Sequence, residues 1–180
     1  MTRKDADGND WDLSKQSMQE KALDIQDREK PEFVVVSPPC TPFSTIGKWS
    51  QGRMSEEDAK KRMVDGITHF AFAILLCLRQ AKAGRYFILE HPVGASSWML
   101  KLAATLILVV NYQSANFDFC MLGMEAEDEL GRAPARKRTK VATNSSKVGK
   151  ALRSMQCDGS HRHVHLTDGN VCVKEACAPP

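Results

Sequence analysis

Two short motifs place reactive side chains directly after predicted strands. The apolar run 33–36 (FVVV), which predicts a buried strand, is followed by Ser37, two prolines and Cys40. Because proline has no backbone N–H to donate, the strand must end there, and the Cys40 thiol lies on a stiff turn. A second apolar run, 86–89 (YFIL), ends in Glu90. A buried structural cysteine and a carboxylate that caps the next turn would leave the same patterns.

A thiol and a carboxylate together can carry out covalent chemistry on a pyrimidine ring. A thiolate adds to C6 of cytosine, C5 becomes nucleophilic, and a carboxylic acid protonates N3. Parallel strands joined by right-handed crossovers end at one edge of an α/β sheet, which is where ligands bind. We therefore expect Cys40 and Glu90 to meet across one crevice.

The motifs SPPC (37–40) and LEHP (89–92) resemble those of DNA cytosine-5 methyltransferases. More closely, the chain is similar to methyltransferase-like segments of retroelement polyproteins, which carry PPCTPFS, a strand ending in E-H-P and a later basic R-K-R-T…TN stretch. The resemblance covers residues 11–144. It implies that Cys40 attacks cytosine C6, that Glu90 acts at N3, and that S-adenosylmethionine donates the methyl group.

The resemblance also implies a basic motif near the nucleophile, spaced Gln-x-Arg-x-Arg. Arg136 and Arg138 match its arginines, and Pro134 stands where the glutamine is expected. Either arginine could lower the pKa of the Cys40 thiol, whereas a solvated basic loop is the alternative. The residues that could contact nucleic-acid phosphates are Arg132, Arg136, Lys137 and Arg138.

The resemblance also implies which residues bind the cofactor. The family places an acidic residue after an early strand to hold the cofactor's adenine, and Asp12 stands in a similar place, with Ser37 and Pro38 as further cofactor-binding candidates. Asp12 as a simple helix-start residue is the alternative. The family's glycine-rich turn does not precede Asp12. Either the chain is a fragment of a longer polyprotein, or the cofactor half has been lost and the domain is inactive.

Two other functions remain open. Amino-methyltransferases that act on N4 of cytosine or N6 of adenine carry a Ser/Asp-Pro-Pro-aromatic motif, and residues 37–39 match three of its four positions. Cys40 stands where the aromatic ring should stack on the base. The third function is non-enzymatic: a retroelement-derived remnant that binds nucleic acid through residues 132–140.

Composition indicates a soluble globular protein. The chain has 180 residues, 42% of them hydrophobic and 26% charged, which suffices for one domain with a core. Its net charge of +3 does not by itself indicate nucleic acid. The six cysteines suit reduced thiols better than a disulfide framework. The apolar run 102–110 is too short to span a bilayer, and we expect an intracellular, DNA-associated protein, with the nucleus as a candidate location.

Hydrophobic periodicity and turn residues predict alternating helices and strands. This alternation favours an α/β fold with a partial Rossmann-like, class I methyltransferase-like, doubly wound and mostly parallel sheet. Ser14 and Ser55 are predicted helix N-caps, the latter within a capping box. The predicted helices are 15–30, 55–83, 95–110 and 147–155, and the predicted strands are 33–36, 86–89, 114–119 and 141–143. The expected divisions are a flexible N-terminus (1–10), a methyltransferase-like core (11–124), an acidic and basic segment (125–156) and a Cys/His tail (157–180).

The tail contains a second constellation of reactive side chains. Cysteine and histidine are good zinc ligands, and two later cysteines could close a tetrahedral site. The alternative is a polar tail, since a Cys-x-x-Cys pair is absent. The candidate zinc ligands are Cys157, His161, His163 and His165.

Overall fold

The computed structural model describes residues 4, 8, 10–44, 54–164 and 166. Residues 45–53, whose glycines predict a loop, lie outside the described residues. So do most of the segment 1–10 and the candidate ligands His165, Cys172 and Cys177. In chain order the elements are α1 (Gln16–Glu29), β1 (Phe33–Val36), α2 (Glu56–Lys82), β2 (Tyr86–Pro92), α3 (Lys101–Val109), β3 (Gln113–Asp118), β4 (Glu125–Asp128), β5 (Gly131–Pro134), β6 (Arg138–Thr143) and α4 (Ser146–Arg153).

A four-stranded mixed sheet with the order β1-β2-β6-β3 forms the centre of this α/β fold. β1 and β2 pair in parallel, whereas β6 is antiparallel to both of its neighbours. The expected mostly parallel sheet is therefore wrong in its pairing, although β1, β2 and β3 share one direction. The reason is the connection, because parallel strands need a long crossover and β3 is joined to β6 through the β4–β5 hairpin.

The segment 125–156 contributes directly to this sheet. Its strand β6 lies between β2 and β3, and its helix α4 packs against β3 and β6. The Asn144 side chain accepts a hydrogen bond from Phe87 N at 3.0 Å and donates one to Arg85 O at 2.9 Å. The segment is thus part of the same sheet as residues 11–124 and holds the beginning of β2.

Helix α2 forms the largest part of the core. Ser55 accepts a hydrogen bond from Asp58 N, which confirms the predicted N-cap. By length and composition alone α2 could cross a membrane. Its buried face, which includes Phe70 and Ile74, instead packs with β2 and α3 in one hydrophobic cluster. That arrangement is typical of the core helix of a soluble protein.

Two other helices, α1 and α3, begin later than the sequence indicated, whereas α4 begins one residue earlier. Lys15, not Ser14, is the N-cap residue of α1, and Ser14 donates to the Asp12 carboxylate instead. The predicted helix 95–110 divides into a 3₁₀ turn, Ser96–Met99, and α3. The extended backbone of Leu100 separates the two, so helical periodicity across them was misleading.

Strand β1 was expected to be buried, and this is wrong. Among the described strands it lies at the edge of the sheet, with β2 as its pairing partner. Phe33 is 40% exposed and Val35 is 65% exposed. An apolar β-branched run therefore forms here because one of its faces packs on α2, while the other remains uncovered by described residues.

Candidate functional site at the ends of β1 and β2

The Cys40 turn follows β1 at the end of the sheet where β2 passes through Glu90 and continues to Pro92. Because Val36 and Leu89 are in register, both motifs lie at the same end of neighbouring parallel strands. The expected strand and turn are confirmed for Cys40, whereas the predicted strand 86–89 is too short, because Glu90, His91 and Pro92 still pair with β6. Cys40 is a free, half-buried thiol at the start of a 3₁₀ turn, Thr41–Phe43.

Close packing against α2 fixes the turn that carries Cys40. Phe43 is 1% exposed, and its ring lies 5.9 Å from that of Phe70. A Cβ atom added to Gly66 of α2 would lie 2.7 Å from Cγ of Pro42. Only a glycine permits this approach of the helix to the proline ring. The thiol is therefore presented on a rigid support.

His91 connects the Glu90 strand with the Cys40 turn. Its ring is fully buried, lies 5.8 Å from the Phe43 ring, and bonds through Nδ1 to Ser97 Oγ at 2.7 Å. Burial lowers the pKa of His91, against opposing effects of Glu90 and of the Pro38 and Pro39 carbonyls. Among the described residues, Nε2 has no hydrogen-bond partner. A neutral His91 therefore acts as a packing element of the site.

The Glu90 carboxylate is largely buried, with 15% of its side chain exposed. Lys137 Nζ lies 3.3 Å from Oε1 and forms an ion pair. The angles at this contact do not make a hydrogen bond, and Oε1 has no hydrogen-bond partner among the described residues. The charge of Lys137 therefore stabilises this oxygen, which still has the capacity to accept a hydrogen bond from a further donor.

The basic segment is distributed differently from the expectation. Arg136 Nε lies 3.5 Å from Oδ1 of the buried Asp118, and Arg138 is exposed. Arg132 forms an ion pair with Glu125 at 2.6 Å. Lys137, which the sequence indicated only as a phosphate contact, is the cation placed beside Glu90. Proximity of either arginine to Cys40 stays a prediction.

The three proposed cofactor residues make their described contacts separately. The Asp12 carboxylate accepts from Ser14 N and Oγ, and these bonds lower its pKa. Pro38 presents its carbonyl to His91, and Ser37 is exposed. These contacts are those of a helix-start residue and of a structural turn. The described residues therefore do not fit S-adenosylmethionine.

One cavity lies beside this site and another lies away from it. One of about 510 Å³ lies between the Cys40 turn and α2, and its lining includes Pro39, Thr41 and His69. A larger one of about 580 Å³ lies between α2 and the end of α3, has both apolar and charged lining residues, and contains none of the candidate site residues. Neither cavity is lined by Cys40 or Glu90.

A second site lies beyond the end of β3. Four side chains bring their sulfur and ring-nitrogen atoms within 4.8 Å of one another and could hold a metal ion. Burial is the main cause that raises the pKa of the Cys120 thiol, and a hydrogen bond with Cys157 adds to it. We call this set the metal group, and its members are Cys120, Cys157, His161 and His163.

Comparisons with known proteins do not identify the function of either site. No protein family, curated protein or solved structure matches this chain. The sequence reasoning did not assign roles to His91 or Cys120. His91 could have been suspected because it stands between the motif glutamate and a proline, whereas Cys120 carries no local signal.

Proposed function

We propose that this chain is a DNA cytosine-5 methyltransferase-like domain that binds a cytosine at the shared end of β1 and β2. The observation that carries the proposal is the Glu90 carboxylate, which is buried one strand away from the rigid Cys40 turn and has an unused acceptor position. The N4 amino group of a cytosine would satisfy this oxygen, and so would its N3–H once N3 has been protonated.

The covalent step uses only residues of this chain. The Cys40 thiol loses its proton to solvent, and Sγ forms a bond to C6. The electron pair of the C5–C6 double bond moves to form C4=C5, and the C4=N3 pair moves to N3, which takes a proton from Glu90. That proton comes from the Lys137 ammonium, 3.3 Å from Oε1 and partly exposed, which passes it through Glu90 as negative charge develops on N3 and is then reprotonated by solvent.

The proposed methyl donor is S-adenosylmethionine, which supplies an electrophilic methyl group. Because the described residues do not fit this cofactor, its binding would need other residues, and we derive no step through it. The step supported by this chain is covalent activation of the base. For the metal group, the ion that we propose is zinc, because two thiolates and two imidazoles suit it.

Product analysis tests the reaction class. The chain is incubated with DNA and S-adenosylmethionine in D₂O, and the nucleosides are separated by mass. Because the described residues do not fit the methyl donor, the product expected is cytosine that carries deuterium at C5, released from the covalent adduct, and it is lost in Cys40→Ala and Glu90→Gln. Cys77→Ala is the matched control, because that thiol is buried in the core. A product methylated at N4 of cytosine or N6 of adenine, without 5-methylcytosine, would favour the amino-methyltransferase alternative.

Nucleic-acid binding without chemistry is a second candidate, favoured by the exposed Arg136 and Arg138. It predicts binding that weakens as salt rises, because phosphate contacts release counterions. Binding would survive Cys40→Ala and weaken when both arginines become alanine. Salt-independent binding would count against this candidate.

A further inference from the structure

We infer that the metal group binds one zinc ion as a closed structural centre, and that this centre positions Lys137 beside Glu90. The first half stands on the geometry of the metal group alone. The second half concerns the carboxylate of the proposed covalent site, and its importance for catalysis rests on the proposed function.

The ligand atoms are already near tetrahedral spacing. Cys157 Sγ lies 3.3 Å from His163 Nε2 and 3.7 Å from His161 Nε2. Zinc with Zn–S of about 2.3 Å and Zn–N of about 2.0–2.1 Å sets neighbouring ligand atoms roughly 3.3–3.8 Å apart. The widest separation in the metal group, within 4.8 Å, needs only a small contraction. Four protein ligands leave no open position, so the centre is structural.

Backbone hydrogen bonds orient Cys157 for this role. The N–H of Gly159 donates to Cys157 Sγ at 3.3 Å, a contact that favours a thiolate. The N–H of Cys157 in turn donates to Oδ2 of the buried Asp118 at 3.0 Å. The loop that carries the first histidine is thus shaped around the sulfur before a metal arrives.

The hydrophobic cluster beside the metal group is too small to hold this part of the chain. Its four buried members are three alanines and one valine, so they remove little apolar surface from water. Such small cores usually require a disulfide or a metal. Zinc binding would supply free energy of folding directly. The cluster consists of Ala126, Ala133, Ala135 and Val164.

A short path leads from the metal group to the covalent site. Cys120 follows Phe119, whose N–H donates to the Lys137 carbonyl at 3.2 Å. The Phe119 ring lies 4.9 Å from Lys137 Nζ, which pairs with Glu90. A metal that fixes Cys120 therefore also fixes the surface on which the lysine side chain rests.

Zinc content of the full chain tests the ligand set. The chain is purified, loaded with Zn²⁺, freed of excess metal and assayed for bound zinc. One zinc per chain is expected, retained in His165→Ala and in the buried-thiol control Cys77→Ser, and lost in Cys120→Ser. Zinc retained by Cys120→Ser, or lost in His165→Ala, would overturn the assignment.

Cobalt substitution covers the case in which Cys120→Ser fails to fold. Wild-type chain loaded with Co²⁺ should show intense tetrahedral d–d bands and thiolate-to-cobalt charge transfer, with both Cys120 and Cys157 protected from alkylation. A weak octahedral spectrum, or alkylation of either thiol in the loaded protein, would overturn the centre.

Lysine acylation tests the positioning of Lys137 without any nucleic acid. Removal of zinc by a chelator should raise severalfold the rate at which a limiting amount of anhydride acylates Lys137. The acylation rate of Lys101, which is exposed at the start of α3, should stay the same. An unchanged Lys137 rate would refute the positioning even if zinc binds. Because this readout is independent of base chemistry, it separates failure of the inference from failure of the proposed function.

Discussion

Replacement of Gly66 by alanine is the most specific perturbation of the Cys40 turn. In a helix interior this change normally stabilises by about 1 kcal/mol. Here the new Cβ would lie 2.7 Å from Cγ and 2.9 Å from Cβ of Pro42, and 3.3 Å from Cε2 of Phe43. Because a proline ring and a buried phenylalanine cannot turn away, the overpacking costs about 1–3 kcal/mol. We expect a net loss of up to about 2 kcal/mol.

Urea unfolding measures the stability change, and the rate of Cys40 labelling by a disulfide reagent reports movement of the turn. Gly94→Ala is the control, since an added Cβ there meets nothing within 4 Å and the backbone is not left-handed. It should change stability by less than about 0.5 kcal/mol. A Gly66→Ala protein that is more stable, with unchanged Cys40 labelling, would refute the close support of the turn by α2.

Three further predictions concern the buried histidine of the site, the support at the beginning of β2, and the methyl donor. Burial lowers the pKa of His91 in the folded chain. As the pH falls through about 6.5, the imidazole therefore takes up a proton in the unfolded chain but stays neutral in the folded chain. The free energy of unfolding should then decrease by up to about 1.4 kcal/mol for each pH unit below that value. With a metal chelator present in both samples, urea unfolding of His91→Gln should show a free energy of unfolding that falls less steeply with decreasing pH than that of the wild type. Equal slopes would contradict this. Asn144→Ala should lower the free energy of unfolding by about 1–3 kcal/mol, because Phe87 N and Arg85 O lose their hydrogen-bond partner. Chemical denaturation measures this loss, with Asn111→Ala at an exposed position as the control. Equal stability of the two variants would count against the prediction. Calorimetric titration with S-adenosylhomocysteine should give no saturable heat up to roughly 1 mM, and micromolar binding would show that the donor site is complete.

Local signals in the sequence predicted the elements that depend on local contacts. The capping box at Ser55 and the apolar periodicity after it placed α2 within a residue at each end. Apolar runs ended by proline motifs placed β1 and β2, and with them Cys40 and Glu90. These features follow from backbone capping and burial, which neighbouring residues determine.

Pairings between distant segments could not be predicted from local sequence. β6 inserts antiparallel between β2 and β3, and its basic beginning reads as a solvated loop. Cys120 joins Cys157 only because the 3₁₀ turn after β3 and the segment after α4 meet in space. In the sequence, Lys137 could not be distinguished from the neighbouring cations, and only the fold shows that it lies beside Glu90. Residue type alone did not rank these side chains.

Covalent capture of a base is the most direct test of the central claim, that Cys40 adds to cytosine C6 beside Glu90. An oligonucleotide carrying 2-pyrimidinone, which lacks the amino group that deactivates C6, is incubated with the chain, and intact mass is measured before peptide mapping. The account predicts an adduct on Cys40, absent in Cys40→Ala, reduced in Glu90→Gln and retained in Cys77→Ala. Equal adducts in wild type and Cys40→Ala, or none in wild type, would contradict it.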